Sequence, residues 1–310
     1  MTRRQLPLFP SQPEEPKDIH RRTPLGATFE LFERYLSHQG KSENTIKAFI
    51  GDLNLLAEHS GAEMTVGQFT TTSLNTFLSW MEVGRGVPCS RKTYARRVTS
   101  LKVYFKWLKQ IGALTHDPAA AILQRSGPAP LSHVLTSDEE KAALYVAQSF
   151  RKGDEHDTRP ELIFRLLLLT GIKKGEAERL KLSDFDRSNP EQPTVVIKHK
   201  AKNVYKERRI PLEKDILSLL DAYVAQYRPK EAVFTCTTRN LEYILTDIGE
   251  EAEIPFKLSF EVMRWTSAVR DYRAGVDEDT IREKLGLSRT SWYETSAKIR
   301  QLSEQVERSS

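Results

Sequence analysis

Residues 261–296 read EVMRWTSAVRDYRAGVDEDTIREKLGLSRTSWYETS. The stretch is expected to fold as two helices and a turn, followed by a short segment that presents a side chain to a site. Arg264, in MRWTSA, is its notable cation. Whether the stretch is a working site depends on the residues around that arginine and on what the rest of the chain offers it.

The 310-residue chain is 39% hydrophobic and 29% charged, which supports two domains with ordinary cores. Lysine and arginine number 47 against 42 acids, a net charge of +5. That balance suits a nucleic-acid partner, although clustering of the cations matters more than their sum. Cys89 and Cys236 form neither a metal pattern nor a disulfide framework, so a reducing, cytoplasmic interior is expected. The longest apolar run, Leu162 to Leu169, contains Arg165 and is too short to span a membrane. The N-terminus lacks the apolar core of a signal peptide. No metal or cofactor is implied.

Residues 1–26 carry five prolines and mixed charge and are expected to be a flexible tail, with LPLF a short docking peptide at most. From Ala27 apolar residues recur at helical spacing: Phe29, Phe32, Tyr35, Leu36. Ser42 caps a second helix and a third covers Thr72 to Glu82. Ser90 caps a fourth, whose buried stripe is Tyr94, Val98, Leu101, Phe105 and Leu108. Beside that stripe lie Arg91, Lys92, Arg96, Lys102, Lys106 and Lys109, with no acid between the first and the last. Solvated helix faces normally mix signs, so this face is read as a phosphate-contacting surface. Residues 27–125 are therefore a helical domain and 126–135 a linker.

The second domain, residues 136–302, opens with a helix capped at Thr136 or Ser137. PELIFRLLLLT is its central helix, ended by Gly171. Thr194 to Ile197 and Glu207 to Pro211 alternate as paired strands across a basic turn. A helix covers Asp215 to Tyr227, and a strand fragment and a helix lie within 231–256. Residues 303–310 are a charged tail. The fold class is mainly α with a small β-hairpin or sheet, α+β.

These pieces resemble the tyrosine recombinase (phage integrase) family, in its Xer-like form. SENTIKAFIGDL and SRKTYARRVTSLKVYFKWL are similar to its helical, SAM-like core-binding domain, which implies a DNA-binding role for 27–125. LLLLTGIKKGEAERLKLSDFD is similar to the segment that bears its first catalytic arginine. KHKAKNVYKERRIPL is similar to its lysine-bearing hairpin, and MRWTSAVRDYRAG with IREKLGLS to its second arginine box. The resemblance implies a two-domain clamp on DNA, with a catalytic-type second domain. It also implies a reaction in which a tyrosine attacks a phosphodiester while arginines, a lysine and histidines assist.

The residues at the implied positions only partly suit that reaction. Lys173 stands at the first arginine position; it keeps the charge but lacks the planar fork, and an ordinary surface lysine is the rival reading. Lys202 best matches the hairpin lysine, with Lys198 and Lys200 as rivals; all three can instead contact backbone phosphate. Arg264 matches the second arginine. Glu261 replaces a histidine three residues earlier, and a plain Glu261–Arg264 pair competes with any phosphate role. Leu287 replaces a proton-active residue. Ser296 occupies the nucleophile position, and Tyr293 lies three residues early.

The implied function is a double-stranded-DNA-binding protein of this family, catalytically inactive or impaired, with an architectural, regulatory or accessory role at the nucleoid. Self-association on DNA or contact with other recombinases is implied, and membrane association is not. Two alternatives stand: an active, divergent recombinase acting through Tyr293, and a helical protein-interaction module with no role on DNA.

Overall fold

The computed structural model describes residues 13–61, 63–87, 89–123, 131–151, 156–198 and 207–309. They fall into two compact units divided after Ala129. Each has its own apolar core.

The first unit is built from α1 (Phe29–His38), α2 (Glu43–Ser60), α3 (Thr71–Ser79) and α4 (Arg91–Gln110). A single π-helical turn, Trp80–Gly84, extends α3. The caps read from the sequence form. The hydroxyl of Ser42 accepts from the Thr45 amide at 3.3 Å and that of Ser90 from the Thr93 amide at 3.1 Å. The expected stripe of α4 is buried, and Tyr104 and Trp107 widen it. Tyr104 meets Phe32 edge-on at 5.1 Å, and its hydroxyl bonds that of Thr28 at 2.5 Å. A buried phenol needs such a partner.

Arg96 and Arg97 sit differently from the outer cations of α4. Arg97 is buried, and Arg96 bonds Asp52 on α2 and donates to the Ala48 carbonyl at 2.9 Å. Asp52 is 2% exposed and also accepts from the Ser100 hydroxyl at 2.7 Å. Burial pushes its carboxyl up, against the pull of Ser100, Arg96 and Arg97. Arg91, Lys92, Lys106 and Lys109 remain exposed, and Lys102 is half-buried.

The N-terminal tail is shorter than the composition suggested. Residues 1–12 lie outside the described residues, but Ile19 is 3% and Leu25 1% exposed, both within the first core. Pro24 bridges Thr65 as an isolated strand pair. Two well-spaced apolar side chains anchor a segment whose prolines and charges had argued for none.

In the second unit α6 (Arg159–Thr170) is the central helix. It packs against α5 (Ser137–Ser149), α8 (Ile216–Tyr227), α9 (Thr238–Glu251) and α10 (Phe260–Arg273). Gly171 ends it at φ +58°, a conformation that favours glycine. The short α7 (Lys174–Ala177) follows. Strands β1 (Phe185–Asp186), β2 (Thr194–Ile197) and β3 (Arg208–Pro211) form one antiparallel sheet in that order. Val195 pairs with Ile210, and both point into the core.

After α10 come α11 (Glu278–Lys284) and α12 (Arg289–Ser309). Here two expectations are corrected. No short segment presents a side chain after Gly286, and residues 303–309 are not a loose tail. One helix runs through both regions because Ile299, Leu302 and Val306 recur at three- and four-residue spacing and are buried, Ile299 and Leu302 in the cluster that holds Ala268, Val269, Ile281 and Leu285. Ser288 caps it, accepting from the Ser291 amide at 3.2 Å. No described helix is long and apolar enough to cross a membrane.

Replacing Asp52 with alanine strips the counter-charge from buried Arg97. The expected cost is about 3–5 kcal/mol. Native-state hydrogen exchange should register it as reduced protection in α2 and α4, with α6 unchanged.

Candidate functional site

The site is assembled from four chain segments of the second unit. Ser259 caps α10, accepting from the Val262 amide at 3.3 Å, and this fixes the first turn that carries Glu261 and Arg264. The Arg264 side chain leaves α10 and reaches the ends of two other helices. Nη1 donates to the carbonyl of Gly171, which caps α6. Nη2 donates to the carbonyl of Leu285, which caps α11, at 2.6 Å. Helix C-termini leave carbonyls unpaired and carry partial negative charge, so one cation serves both. The pair with Glu261 raised by the sequence does not form among the described residues: Glu261 is exposed and Arg264 turns inward.

Glu176 and Arg208 lie beside Arg264. Arg208, on β3, grips Glu176 through Nη1 to Oε1 at 3.0 Å and Nη2 to Oε2 at 2.9 Å. Its Nε donates to the Lys284 carbonyl at 2.6 Å. Both side chains are nearly inaccessible, at 7% and 4% exposure. Glu176 also accepts from the Lys173 amide at 2.9 Å, which closes the turn that opens α7. Burial works against the Glu176 charge, but the hydrogen bonds and charge of Arg208, the Lys173 amide and Arg264 prevail, and its carboxyl titrates below the usual glutamate value. Burial pushes the Arg264 guanidinium down to about 10; Glu176 counteracts this and Arg208 adds to it. At neutral pH the cluster therefore holds two cations and one anion. Gly286, at φ +61°, leaves room for it: a Cβ there would stand 2.9 Å from Nη1 of Arg208.

Sequence reasoning missed Arg208. The signal was present in the strand alternation, since Arg208 shares its face with buried Ile210 while Arg209 faces outward to Asp186 and Thr194. A cavity of about 770 Å³ opens alongside, lined by Arg208, Arg209, Arg282 and Lys284 among others. Lys284 is itself paired with Asp271 at 2.6 Å, and burial holds its amine below the usual lysine value.

The other expected site residues are dispersed. Lys173 is exposed at the start of α7. Lys198 pairs with buried Asp184 at 2.6 Å. Lys200 and Lys202 lie outside the described residues. Leu287 is half-buried and joins Trp265, Tyr272 and Trp292 around the C-terminal apolar cluster. Ser296 is 7% exposed, and its hydroxyl donates to the Tyr293 carbonyl at 3.3 Å. Tyr293 is 83% exposed, and its hydroxyl bonds no described residue. Glu278 ties α12 to α11, accepting from the Trp292 indole at 3.3 Å and from Arg300 at 2.9 Å. Among the described residues no group of three histidines, cysteines or acids is placed to hold a metal ion.

The sequence matches the phage integrase family over residues 133–298 and the N-terminal SAM-like domain of phage integrases over residues 29–112. The chain belongs to the phage integrase family. Within it, tyrosine recombinase XerD of Listeria innocua is 26% identical over 84% of this chain and 91% of its own length. Tyrosine recombinase XerC of Mycobacterium leprae is 32% identical over 52% of this chain. The match to XerC covers about half of that relative, 54% of its length. The fold of the XerH site-specific recombinase bound to difH is similar with a TM-score of 0.69, at 18% identity, over 92% of this chain and 96% of that one. A lambda integrase dimer bound to a COC' core site gives 0.69 at 15% identity, over 90% and 78%. The two-domain tyrosine-recombinase fold read from the sequence is thus the fold of the chain.

Replacing Glu176 with glutamine leaves two buried guanidinium groups without their carboxylate. A loss of about 3–5 kcal/mol is expected, read as a fall in Tm of the second unit on the order of 10 °C. Exposed Glu178→Gln should leave Tm unchanged. The depressed folded pKa of Glu176 gives a stabilising contribution that is complete above the ordinary value of 4.5 and is lost as pH falls through the lower folded value. Acid titration of unfolding should show this limb in the unaltered chain and a shallower one in Glu176→Gln.

Proposed function

We propose that this chain is a double-stranded-DNA-binding member of the phage integrase family whose recombination centre is inactive or impaired, and that its role on DNA is architectural, regulatory or accessory. The single observation that carries the reading is the state of α12: Ser296, at the implied nucleophile position, is buried in a continuous helix. A serine held there spends its hydroxyl on the Tyr293 carbonyl. Arg264, the one residue that matches a family arginine, is committed to two backbone carbonyls and shares its carboxylate partner with Arg208.

The grip on DNA rests on other groups. Arg91, Lys92, Lys106 and Lys109 stand exposed along α4 with no acid among them, which suits sequence-independent contact with phosphates. Folds similar to this one include recombinases whose structures are described as bound to DNA, a lambda integrase tetramer on a Holliday junction among them. Self-association on DNA, or association with related recombinases, accords with those assemblies. Lys102, half-buried on α4, adds to that face; Lys198, in the second unit, is already paired with Asp184. Arg96 supports α4 from its inner side through Asp52.

One observation favours a second reading. Tyr293 is exposed and bonds no described residue, so its hydroxyl is open to a phosphodiester. In that reading Tyr293 forms a 3′-phosphotyrosyl link, with Lys173, Lys202 and Arg264 around the phosphate.

Two measurements divide these readings. Affinity for duplex DNA should fall steeply with salt. Arg91→Ala, Lys92→Ala and Lys106→Ala should each weaken binding across sequences and make the slope of log K against log salt shallower by about 0.9 for each phosphate no longer neutralised. Binding with no salt slope would favour the interaction module instead. On a nicked suicide duplex the unaltered chain should form no covalent adduct. An adduct that disappears in Tyr293→Phe would establish the active alternative.

A further inference from the structure

Just ahead of α4 a half-buried cysteine meets a buried arginine. Cys89 directly precedes Ser90, the residue that caps α4. Arg97, in the second turn of that helix, is 8% exposed, and its Nη1 donates to the sulfur of Cys89 at 2.9 Å. The thiol is itself directed to the Ser90 carbonyl at 3.7 Å, which leaves the sulfur to accept from the guanidinium. Neither the exposed cations of α4 nor the Arg264 cluster involves this pair.

The rest of the unit serves Arg97 poorly. Among the described residues the contact with Cys89 is the one hydrogen bond of its guanidinium. Nε is buried without a hydrogen-bond partner; it stands 3.6 Å from Oδ1 of Asp52, beyond hydrogen-bond reach. Asp52 gives its other oxygen to Arg96 and to the Ser100 hydroxyl. Buried donors are ordinarily matched by acceptors, and a thiol sulfur is a weak one. A buried cation whose one hydrogen bond goes to a neutral thiol would hold an anionic or oxygen-bearing sulfur more firmly.

These surroundings suit one chemistry. The sulfur anion is the nucleophile, and reactive cysteines sit beside arginine and at the starts of helices. Arg97 supplies a counter-charge at the sulfur, and the first turn of α4 adds Arg91 and Lys92 with no acid. Half-burial leaves the sulfur within reach of a small reagent.

We propose that Cys89 is an oxidation site at which hydrogen peroxide converts the thiol to a sulfenic acid held by Arg97. The sulfur attacks one peroxide oxygen, an S–O bond forms as the O–O bond breaks, and the departing oxygen leaves as water with the proton lost from the thiol. The sulfur is oxidised and the peroxide reduced. The new oxygen gives Arg97 the acceptor that the thiol lacks.

The test treats the full chain with hydrogen peroxide at neutral pH in the presence of dimedone and follows the adduct at Cys89 by mass spectrometry. The reference is a synthetic peptide of residues 85–94, which keeps Arg91 and Lys92 but lacks Arg97. Cys89 in the folded chain should be trapped several-fold faster than in the peptide, although it is half-buried. Asp52→Asn combined with Arg97→Gln removes the buried charges together and should bring the rate down to that of the peptide or below. A folded-chain rate no higher than that of the peptide would overturn the proposal, and this comparison needs no substitution. A rate left unchanged in the folded double variant would overturn it as well.

Discussion

A single carboxylate, that of Glu176, lies between the guanidinium groups of Arg208 and Arg264, and the geometry of the second unit depends on it. Taking three charges out of water is costly, and the cost is met only because nearly every donor has a defined acceptor. Those acceptors are the carbonyls of Gly171, Lys284 and Leu285. The ends of α6 and α11, the start of α7 and the strand β3 are thereby tied to one point on α10. Gly171 and Gly286 complete the arrangement, since each adopts a positive φ where a side chain would press on Ser267 and Leu285 or on Arg208. An arginine held this way is a structural fastener first. To act on a phosphate it must use the donors left over or release a helix end.

The same economy governs α12. Ser296 is buried and Tyr293 is exposed, three positions apart on one continuous helix. Sliding Tyr293 into the place of Ser296 means a shift of about 4.5 Å along the axis. That shift would put Ser296 in the slot of Ile299 and Ser303 in the slot of Val306. Two buried apolar side chains would be exchanged for serines, at roughly 1.5–3 kcal/mol each. The Glu278 bonds to Trp292 and Arg300 would break as well. The register of α12 is therefore strongly held, and it keeps the tyrosine outside.

Much of this was legible in the sequence, for local reasons. Serine and threonine caps, the stripe of α4, the apolar α6 and the alternation in β2 follow from short-range chemistry, and four family segments in order carried the architecture. What the sequence hid depended on long-range partners. Arg208 reads as one cation among many in KERRIPL until Glu176 is found opposite it, although its inward face was open to inference from Ile210. Arg96 reads as a DNA-facing cation until Asp52 is found opposite it on α2. Ile19 and Leu25 were hidden by prolines and charges, and the extent of α12 by a charged C-terminal composition that masks Ile299, Leu302 and Val306. In each case the deciding partner lies far away in sequence.

The proposed function keeps the family's frame and gives up, wholly or in part, its cutting of DNA. The most direct measurement is the linking-number distribution of a negatively supercoiled plasmid incubated with saturating protein, stripped of protein with detergent and resolved by gel. A chain that binds without cutting leaves a distribution identical to that of untreated plasmid, although the same samples before stripping show the plasmid bound. Relaxed topoisomers that appear with the unaltered chain and vanish with Tyr293→Phe would contradict it.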